Sequence, residues 1–159
     1  MVKTKNGYDF HELLSALQKC IRRNREYEAV FFALKLEEFN STALWNRLKM
    51  IASEDVGCAN PNMPILIEIL LKHYSESKSR LNDNSYSLFV VNAVVNLCRS
   101  PHSRVTDDLL YKIQKDIRLL PIPDFALDGI HTRRCTKEGK ENWDLVVNEP
   151  FSNPYKKRC

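Results

Sequence analysis

Apolar residues recur every three or four positions along the first half of the chain, which is the spacing of one face of an α-helix. Asp9 and Glu12 form a capping box before the first such run, where side chains can satisfy backbone N–H groups at the helix start. The first predicted helix therefore has an inward face made of Phe10, Leu13, Leu14, Leu17 and Ile21.

Three further runs continue this pattern. Tyr27 to Glu38 has a broad apolar face, and Asn40-Ser41 then precedes an apolar set at Leu44, Leu48 and Ile51. Because Asn and Ser side chains accept bonds from helix N-terminal N–H groups, a separate helix is predicted after residue 40. Asn60-Pro61 predicts another helix start before the apolar run 65–71, since proline costs no hydrogen bond at the first helical position.

The segment "YSLFVVNAVVNLC" (86–98) is ambiguous, because its valines favour a strand. Its thirteen residues exceed a usual strand, and Asn92 and Asn96 stand one helical repeat apart, so a central helix is predicted. Ser100-Pro101 ends it. Thr106, Asp107 and Asp108 then cap a last helix whose inward face is predicted to be Leu109, Leu110, Ile113 and Ile117.

The pattern changes after Leu120. This part holds four of the seven prolines and two of the four glycines, and it has no sustained periodicity. It predicts an irregular arm with a frayed tail after Pro150, packed by Phe125, Leu127, Trp143 and Val146. The expected organisation is an all-α chain of about six main helices: a flexible start (1–7), a helical domain (8–120) and a basic, proline-rich arm (121–159).

Composition excludes some classes of protein. There is no run of 18 apolar residues and no signal-like start, so neither a membrane span nor a secretory leader is expected. The five cysteines are an odd set without a CxxC pair, which favours free or buried thiols in a reducing compartment. A cytoplasmic protein is expected.

Two basic clusters are candidates for contact with DNA, because the net charge of +4 permits such contact without requiring it. Lys19, Arg22 and Arg23 share one helical face. They also stand at a helix C-terminus, where the dipole alone favours cations. Arg133 and Arg134 lie in the arm, and a basic tail latched over the domain is the alternative there.

Motifs for chemistry are scarce. No GxxxxGK[ST] loop and no metal-ligand spacing of histidines occurs, so no cofactor, no metal and no nucleotide hydrolysis are expected. His131 and Cys135 stand four apart and could form a thiol–imidazole centre with Asp128. The prolines and glycine nearby argue against the helix that would bring them together, so an enzyme of unknown reaction is kept only as the alternative.

The stretch "MIASEDVGCANP" (50–61) sets acids at the end of an apolar helix, where the dipole disfavours them. Glu54 and Asp55 are adjacent, so on a helix they point about 100° apart and cannot converge on one substrate. Gly57 suits a left-handed turn out of the helix. At least one of the two carboxylates is therefore predicted to be buried and paired with a base or with backbone N–H groups.

Four stretches combine these features: "YDFHELLSALQKCIR", "EAVFFALKLEE", "LWNRLKMIASEDVGCANP" and "NLCRSPHSR". Together they closely resemble the C-terminal region of the replication-associated recombination protein A family, also called MgsA. The eukaryotic relative of that family is the Werner-helicase-interacting ATPase. The most distinctive shared residues are Ser53, Glu54, Asp55, Gly57 and Pro61. The chain departs from the family pattern at Asn24-Arg25-Glu26 and at Cys58.

The resemblance implies an all-helical fold related to the clamp-loader collar, which in the full-length family forms tetramers beside an AAA+ motor acting at replication forks. The motor motifs are not in this sequence, so ATPase activity is not carried over. The expected function is a non-catalytic homo-oligomerisation module that binds DNA or partners in DNA replication, recombination or repair. A split subunit of a separately encoded AAA+ ATPase is the other alternative.

Overall fold

The computed structural model describes residues 7–80, 84–132 and 134–146, and for residues 142–146 it describes the backbone alone. Within these residues the protein is all-α, as predicted, and contains six α-helices. They are α1 (Phe10–Arg22), α2 (Glu26–Ile51), α3 (Met63–Lys78), α4 (Ser87–Arg99), α5 (Val105–Lys115) and α6 (Lys137–Val146). None of the described helices combines the length and apolarity needed to cross a bilayer.

The chain divides into two compact units, Met1–Asp116 and Ile117–Cys159. The division falls four residues before the boundary predicted after Leu120. In the first unit, α1 packs on α2, and α4 packs on both α2 and α3. The centre of its core is fully buried and consists mostly of aliphatic side chains, including Leu17, Ile21, Leu36, Leu44, Leu48, Ile67, Val90 and Leu97.

Helix α1 begins as its sequence predicts. One oxygen of the Asp9 carboxylate accepts bonds from the N–H groups of His11 and Glu12, at 2.9 and 3.1 Å. The apolar positions Leu13 and Leu17 face the core. This cap fixes the start of the helix that later presents Gln18 and Arg22 to the candidate site.

Helix α2 is broken at Asn40, which has the non-helical angles φ −155° and ψ 88°. Its side-chain oxygen accepts a bond from the N–H of Ala43 at 2.9 Å, the geometry of a helix cap. The prediction of a separate helix after residue 40 is thus confirmed. The break lets the second half of α2 follow its own direction toward the turn that contains Asp55.

The start of α3 was predicted two residues early. The helix begins at Met63, while Asn60 starts a turn by accepting a bond from the N–H of Asn62 at 3.3 Å. Asn60 also donates to the hydroxyl of Ser100 at 3.1 Å. The ambiguous segment after Tyr86 is helical, as predicted, because its valines fill a core position between three other helices rather than a sheet.

The prediction that α5 faces inward is wrong. Leu109, Leu110 and Ile113 are each more than half exposed, and Ile117 lies beyond the helix and is 97% exposed. In the part of the chain that the structure describes, α5 is attached at its first turn, where the hydroxyl of Thr106 donates to the carbonyl of Ser53 at 3.0 Å. Amphipathic spacing predicts an apolar face but does not say what covers it.

The second unit is more regular than predicted. A turn at Asp124–Ala126 and an isolated bridge between Asp128 and Cys135 precede α6, a helix that the sequence did not predict. The N–H of Thr136 donates to the carbonyl of Leu127 at 2.8 Å. Gly139 permits this approach, because a Cβ there would collide with that same carbonyl.

Of the residues expected to pack the arm, Leu127 is buried but Phe125 is half exposed, which corrects the prediction for Phe125. The side chains of Trp143 and Val146 lie outside the described residues. So do the predicted tail after Pro150 and all of the predicted flexible start except Gly7.

Candidate functional site

The Ser-Glu-Asp stretch forms a wide turn directly after α2. Residues Ala52–Val56 adopt a π-helical turn, and Gly57–Ala59 follow as a short 3-10 turn. The wider π geometry rotates Asp55 inward, and its side chain is completely buried. A buried carboxylate needs partners, because leaving it unpaired costs several kcal/mol.

Asp55 has such partners on each oxygen. Oδ2 accepts a bond from Nε2 of Gln18 at 2.9 Å, and Oδ1 accepts a bond from Nε of Arg22 at 2.7 Å. Nη1 of Arg104 lies 3.6 Å from the same Oδ1. The prediction that at least one of the two acids is buried and paired is confirmed.

Gln18 is held in place from its other side. Its Oε1 accepts a bond from Nη1 of Arg47 at 2.9 Å, which fixes the direction of the amide and aims its N–H group at Asp55. Since Gln18 is on α1 and Arg47 is on α2, one chain of bonds joins both helices to the turn. We call Gln18, Arg22, Arg47, Glu54, Asp55 and Arg104 the Asp55 cluster.

Glu54 lies at the edge of the Asp55 cluster. Its Oε1 is 3.4 Å from Nη2 of Arg22 and 3.6 Å from Nη1 of Arg104, and a quarter of its side chain is exposed. These longer, partly solvated contacts are weaker than those of Asp55. The two adjacent acids therefore have unequal roles, and Asp55 carries the structural one.

The same turn also anchors the segment that leads into α5. The backbone carbonyl of Asp55 accepts a bond from the N–H of Ser103 at 2.9 Å. Gly57 has φ +52°, and a Cβ at this position would lie only 2.6 Å from the carbonyl oxygen of Ser103. Glycine is thus required both by the backbone conformation and by the close approach of the two chain segments.

Three of the six residues in the Asp55 cluster were not predicted from their own local pattern: Gln18, Arg47 and Arg104. Gln18 offered a signal, because it stands four positions after Leu14 and three before Ile21, inside an apolar stripe. A polar residue there is buried with the stripe and needs a polar partner. Arg104 offered no such signal, since it lies in an irregular segment.

The predicted DNA-binding residues of α1 are placed differently from one another. Arg22 is bound to Asp55 and Glu54, so its guanidinium is committed to the Asp55 cluster. Arg23 is exposed and its Nη1 donates to the carbonyl of Lys19 at 3.1 Å, which caps its own helix. Lys19 is exposed. A DNA-binding hypothesis on this face therefore rests on Lys19 and Arg23.

The basic pair of the second unit is only partly described. Arg134 is exposed, and its carbonyl accepts bonds from the N–H of Gly129 at 3.2 Å and the hydroxyl of Thr132 at 2.6 Å. Arg133 lies outside the described residues. Arg134 thus lies in a turn that backbone and side-chain hydrogen bonds hold in place. Its role in DNA binding stays a prediction.

His131 and Cys135 do not form the helical pair that their spacing suggested. His131 lies in a loop, and its Nδ1 is 2.8 Å from Oδ2 of Asp128, which lowers the pKa of that carboxyl group. Cys135 is disulfide-bonded, so it has no thiol in this structure to act as a nucleophile. Asp128 also accepts bonds from the N–H groups of Ile130 and His131, which makes it the organiser of the loop.

The cysteines of the first unit agree with the expectation of free or buried thiols, whereas Cys135 does not. Cys20, Cys58 and Cys98 are free. Burial, aided by the nearby Glu26, raises the pKa of Cys98 to about 12, so its thiol stays protonated and unreactive. Burial also raises the pKa of Cys20.

A metal site, or a ligand site beside the Asp55 cluster, has little support in the described part of the chain. No group of three His, Cys, Asp or Glu side chains there is arranged to hold a metal ion. A surface groove of about 400 Å³ borders the Asp55 cluster at Arg47 and Glu54, with Phe10 and Met50 among its other walls. Both charged residues of this groove already have partners within the chain. Arg47 donates to Gln18, and Oε1 of Glu54 lies 3.4 Å from Nη2 of Arg22.

Comparison with known proteins gives one informative match. No family model matches the chain. The chain is 30% identical over 122 residues to Replication-associated recombination protein A of Bacillus subtilis (strain 168). The aligned stretch is 76% of this chain but 28% of that protein, so the chain spans less than a third of the length of the relative it matches. The two proteins are distant relatives.

Proposed function

We propose that this chain is a non-catalytic helical module that self-associates and docks onto the machinery of DNA replication or recombination in the cytoplasm. It corresponds to the C-terminal region of the replication-associated recombination protein A family, with a collar-like fold. Its partner on that machinery is an AAA+ ATPase of the kind the full-length family carries. Contact with DNA, through Lys19, Arg23 and Arg134, is a second part of the proposal.

The observation that carries the proposal is the complete burial of Asp55. Its two oxygens are engaged by Gln18 and Arg22, so the Ser-Glu-Asp stretch is accounted for without a substrate or a metal. The stretch holds α1, α2 and the start of α5 at fixed positions. A sequence motif whose central carboxylate is buried and paired within the chain supports a scaffold better than a reaction centre.

The distant relative supports the biological setting. Its name describes a replication-associated recombination protein, and 76% of this chain aligns with it. Because the chain spans so little of that protein, the ATPase activity of the longer protein is not proposed for it. Assembly with itself and with such an ATPase is the role that a shared helical segment supports best.

Self-association is tested by size-exclusion chromatography with light scattering on the full chain. We expect the measured mass to rise above the monomer mass of 18.5 kDa as the concentration increases from about 10 to several hundred μM. Reducing and non-reducing buffers are compared, so that association through exposed cysteines is excluded. A strict monomer under all these conditions contradicts the self-association part of the proposal.

DNA contact is tested by exchanging the exposed bases of α1. Lys19→Glu with Arg23→Glu is expected to weaken binding to a DNA duplex at least tenfold and to reduce the slope of log affinity against log salt by about two. Lys72→Glu with Arg80→Glu is the matched control, because these exposed bases give the same charge change elsewhere. An equal loss in both double variants would mean that net charge, not this face, governs binding.

A further inference from the structure

A second surface cavity, of about 400 Å³, lies in the first unit where α2, α3 and α4 meet. This volume is within the range of sites for small molecules. The cavity has walls from one face of α2, from the last residue of α3 and from the start of α4. The side chains that matter here are Leu34, Glu37, Glu38, Lys78, Tyr86 and Ser87.

Lys78 contributes an ammonium group that no carboxylate neutralises. Its Nζ donates to the hydroxyl groups of Tyr74 at 2.8 Å and Ser41 at 3.5 Å, which leaves one of its three N–H donors. The same nitrogen lies 5.1 and 5.4 Å from the ring centroids of Tyr74 and Tyr86. All of these partners are neutral, and within the described residues Lys78 forms no ion pair. The rings and hydroxyl groups therefore hold a cation in place at the wall of the cavity.

Glu37 contributes the opposite charge on the same cavity. Its Oε1 accepts a bond from the hydroxyl of Ser87 at 3.0 Å, and its side chain is partly buried. Among the described residues no base pairs with it, whereas the neighbouring Glu38 is bound to Nζ of Lys35 at 3.1 Å. The cavity thus has one carboxylate without an ion-pair partner.

The charges of Lys78 and Glu37 influence each other without forming an ion pair. The hydrogen bond to Tyr74 raises the pKa of Lys78, and the negative charge of Glu37 adds to this rise. Lys78 is therefore a cation at neutral pH. The two opposite charges lie near each other on one cavity, with room between them for a small molecule.

This pair of charges selects the class of ligand. A purely cationic ligand would be repelled by Lys78, and a purely anionic ligand would be repelled by Glu37. A small zwitterion, with an ammonium group and a carboxylate a few atoms apart, satisfies both. Leu34 and the ring of Tyr86 add an apolar wall, which suits a ligand with an apolar side chain.

We propose that this cavity binds a free α-amino acid with an apolar side chain. The ammonium group of the ligand pairs with Glu37 and its carboxylate pairs with Lys78, while its side chain packs against Leu34 and Tyr86. The site uses no residue of the Asp55 cluster and none of the bases assigned to DNA, so it goes beyond the proposed function. For a ligand this small on an open surface, we expect a Kd on the order of 1 mM.

Binding is tested on the isotope-labelled full chain by titration with L-leucine, followed through the backbone amide resonances. We expect saturable shifts at Leu34, Glu37, Lys78 and Tyr86. Isocaproate, which is leucine without its ammonium group, and isoamylamine, which is leucine without its carboxylate, are the matched half-ligands. Each should bind about tenfold more weakly than leucine, because each meets one repelling charge and loses one charge-assisted bond.

Two variants exchange the preference for the half-ligands. Glu37→Gln keeps an acceptor for Ser87 but removes the negative charge, so it should weaken leucine about tenfold and strengthen isocaproate. Lys78→Met should also weaken leucine about tenfold, and it should strengthen isoamylamine instead. Glu38→Gln is the matched control, because Glu38 is already paired with Lys35, and it should leave the affinity for leucine unchanged.

Circular dichroism and urea denaturation establish that each variant remains folded. If Lys78→Met unfolds through loss of its contact with Tyr74, Glu37→Gln with the two half-ligands still decides the question. The absence of saturable shifts with leucine overturns the proposal. Equal affinities for leucine and both half-ligands overturn it too, because they would mean that apolar contact alone governs binding. A wild-type affinity for leucine in Glu37→Gln would have the same consequence.

Discussion

Asp55→Ala is expected to lower the free energy of unfolding by about 3 kcal/mol, since it removes a buried carboxylate that accepts bonds from Gln18 and Arg22. The amide of Gln18, itself 6% exposed, loses its acceptor and has little access to water in exchange. Arg22 is a third exposed and recovers part of its hydration, which keeps the cost below that of a fully buried ion pair. Urea denaturation followed by circular dichroism measures the change.

Glu54→Ala is the matched control for Asp55→Ala. It removes the neighbouring acid of the same turn, but its contacts with Arg22 and Arg104 are longer and partly solvated. We expect a cost below about 1 kcal/mol. Equal costs for the two substitutions would contradict the assignment of Asp55 as the buried centre of the cluster.

Gly57→Ala is expected to destabilise the first unit by about 3 kcal/mol, because two penalties act at once. The backbone at Gly57 has φ +52° and ψ −137°, a sparsely populated combination that costs an L-residue about 1–3 kcal/mol. The new Cβ would also lie 2.6 Å from the carbonyl of Ser103, which is backbone and cannot rotate away. Relief requires the segment at Ser103 to move, so amide hydrogen exchange should accelerate selectively in Val105–Lys115.

Gly7→Ala separates these two penalties. Gly7 also has a left-handed conformation, with φ +83°, but a Cβ there would meet nothing within 4 Å. We expect this control to cost about 1 kcal/mol, because the backbone conformation is the one penalty that remains. Unchanged exchange in α5 for Gly57→Ala would show that the close approach to Ser103 is not essential.

The helices were largely predictable because their signals are local. The cap at Asp9, the break at Asn40 and the apolar faces of α1 to α4 depend on residues within a few positions of one another. The exact start of α3 was missed, since Asn60 uses its side chain in a preceding turn and in a long-range bond to Ser100. Caps indicate where a helix can begin, and tertiary contacts choose among the candidates.

The candidate site was predictable in part. Burial of an acid in the Ser-Glu-Asp stretch follows from the cost of an unpaired charge and from the apolar residues around it. Its partners were not predictable, because Gln18 and Asp55 are 37 positions apart and only the fold brings them together. Arg22 illustrates the limit most clearly, since its helical face suggested DNA while the fold assigns it to Asp55.

The helix of the second unit and the exposure of α5 were missed for a different reason. The helix α6 depends on Gly139, which lowers helix propensity but allows close approach to the carbonyl of Leu127. For α5, the apolar spacing was correctly detected, but burial depends on the presence of a covering surface. A periodic pattern predicts which face of a helix is apolar, but it does not say which surface, if any, packs against that face.

The attachment of α5 to the turn that contains Asp55 has a genetic consequence. Ser103 and Thr106 bond to the same turn that Gln18 and Arg22 hold from the other side, so substitutions in the turn alter the direction in which α5 leaves the domain. Random mutagenesis should therefore yield temperature-sensitive alleles in the turn, because these impair the core together with the placement of α5. Alleles in the exposed part of α5 should leave thermal stability unchanged.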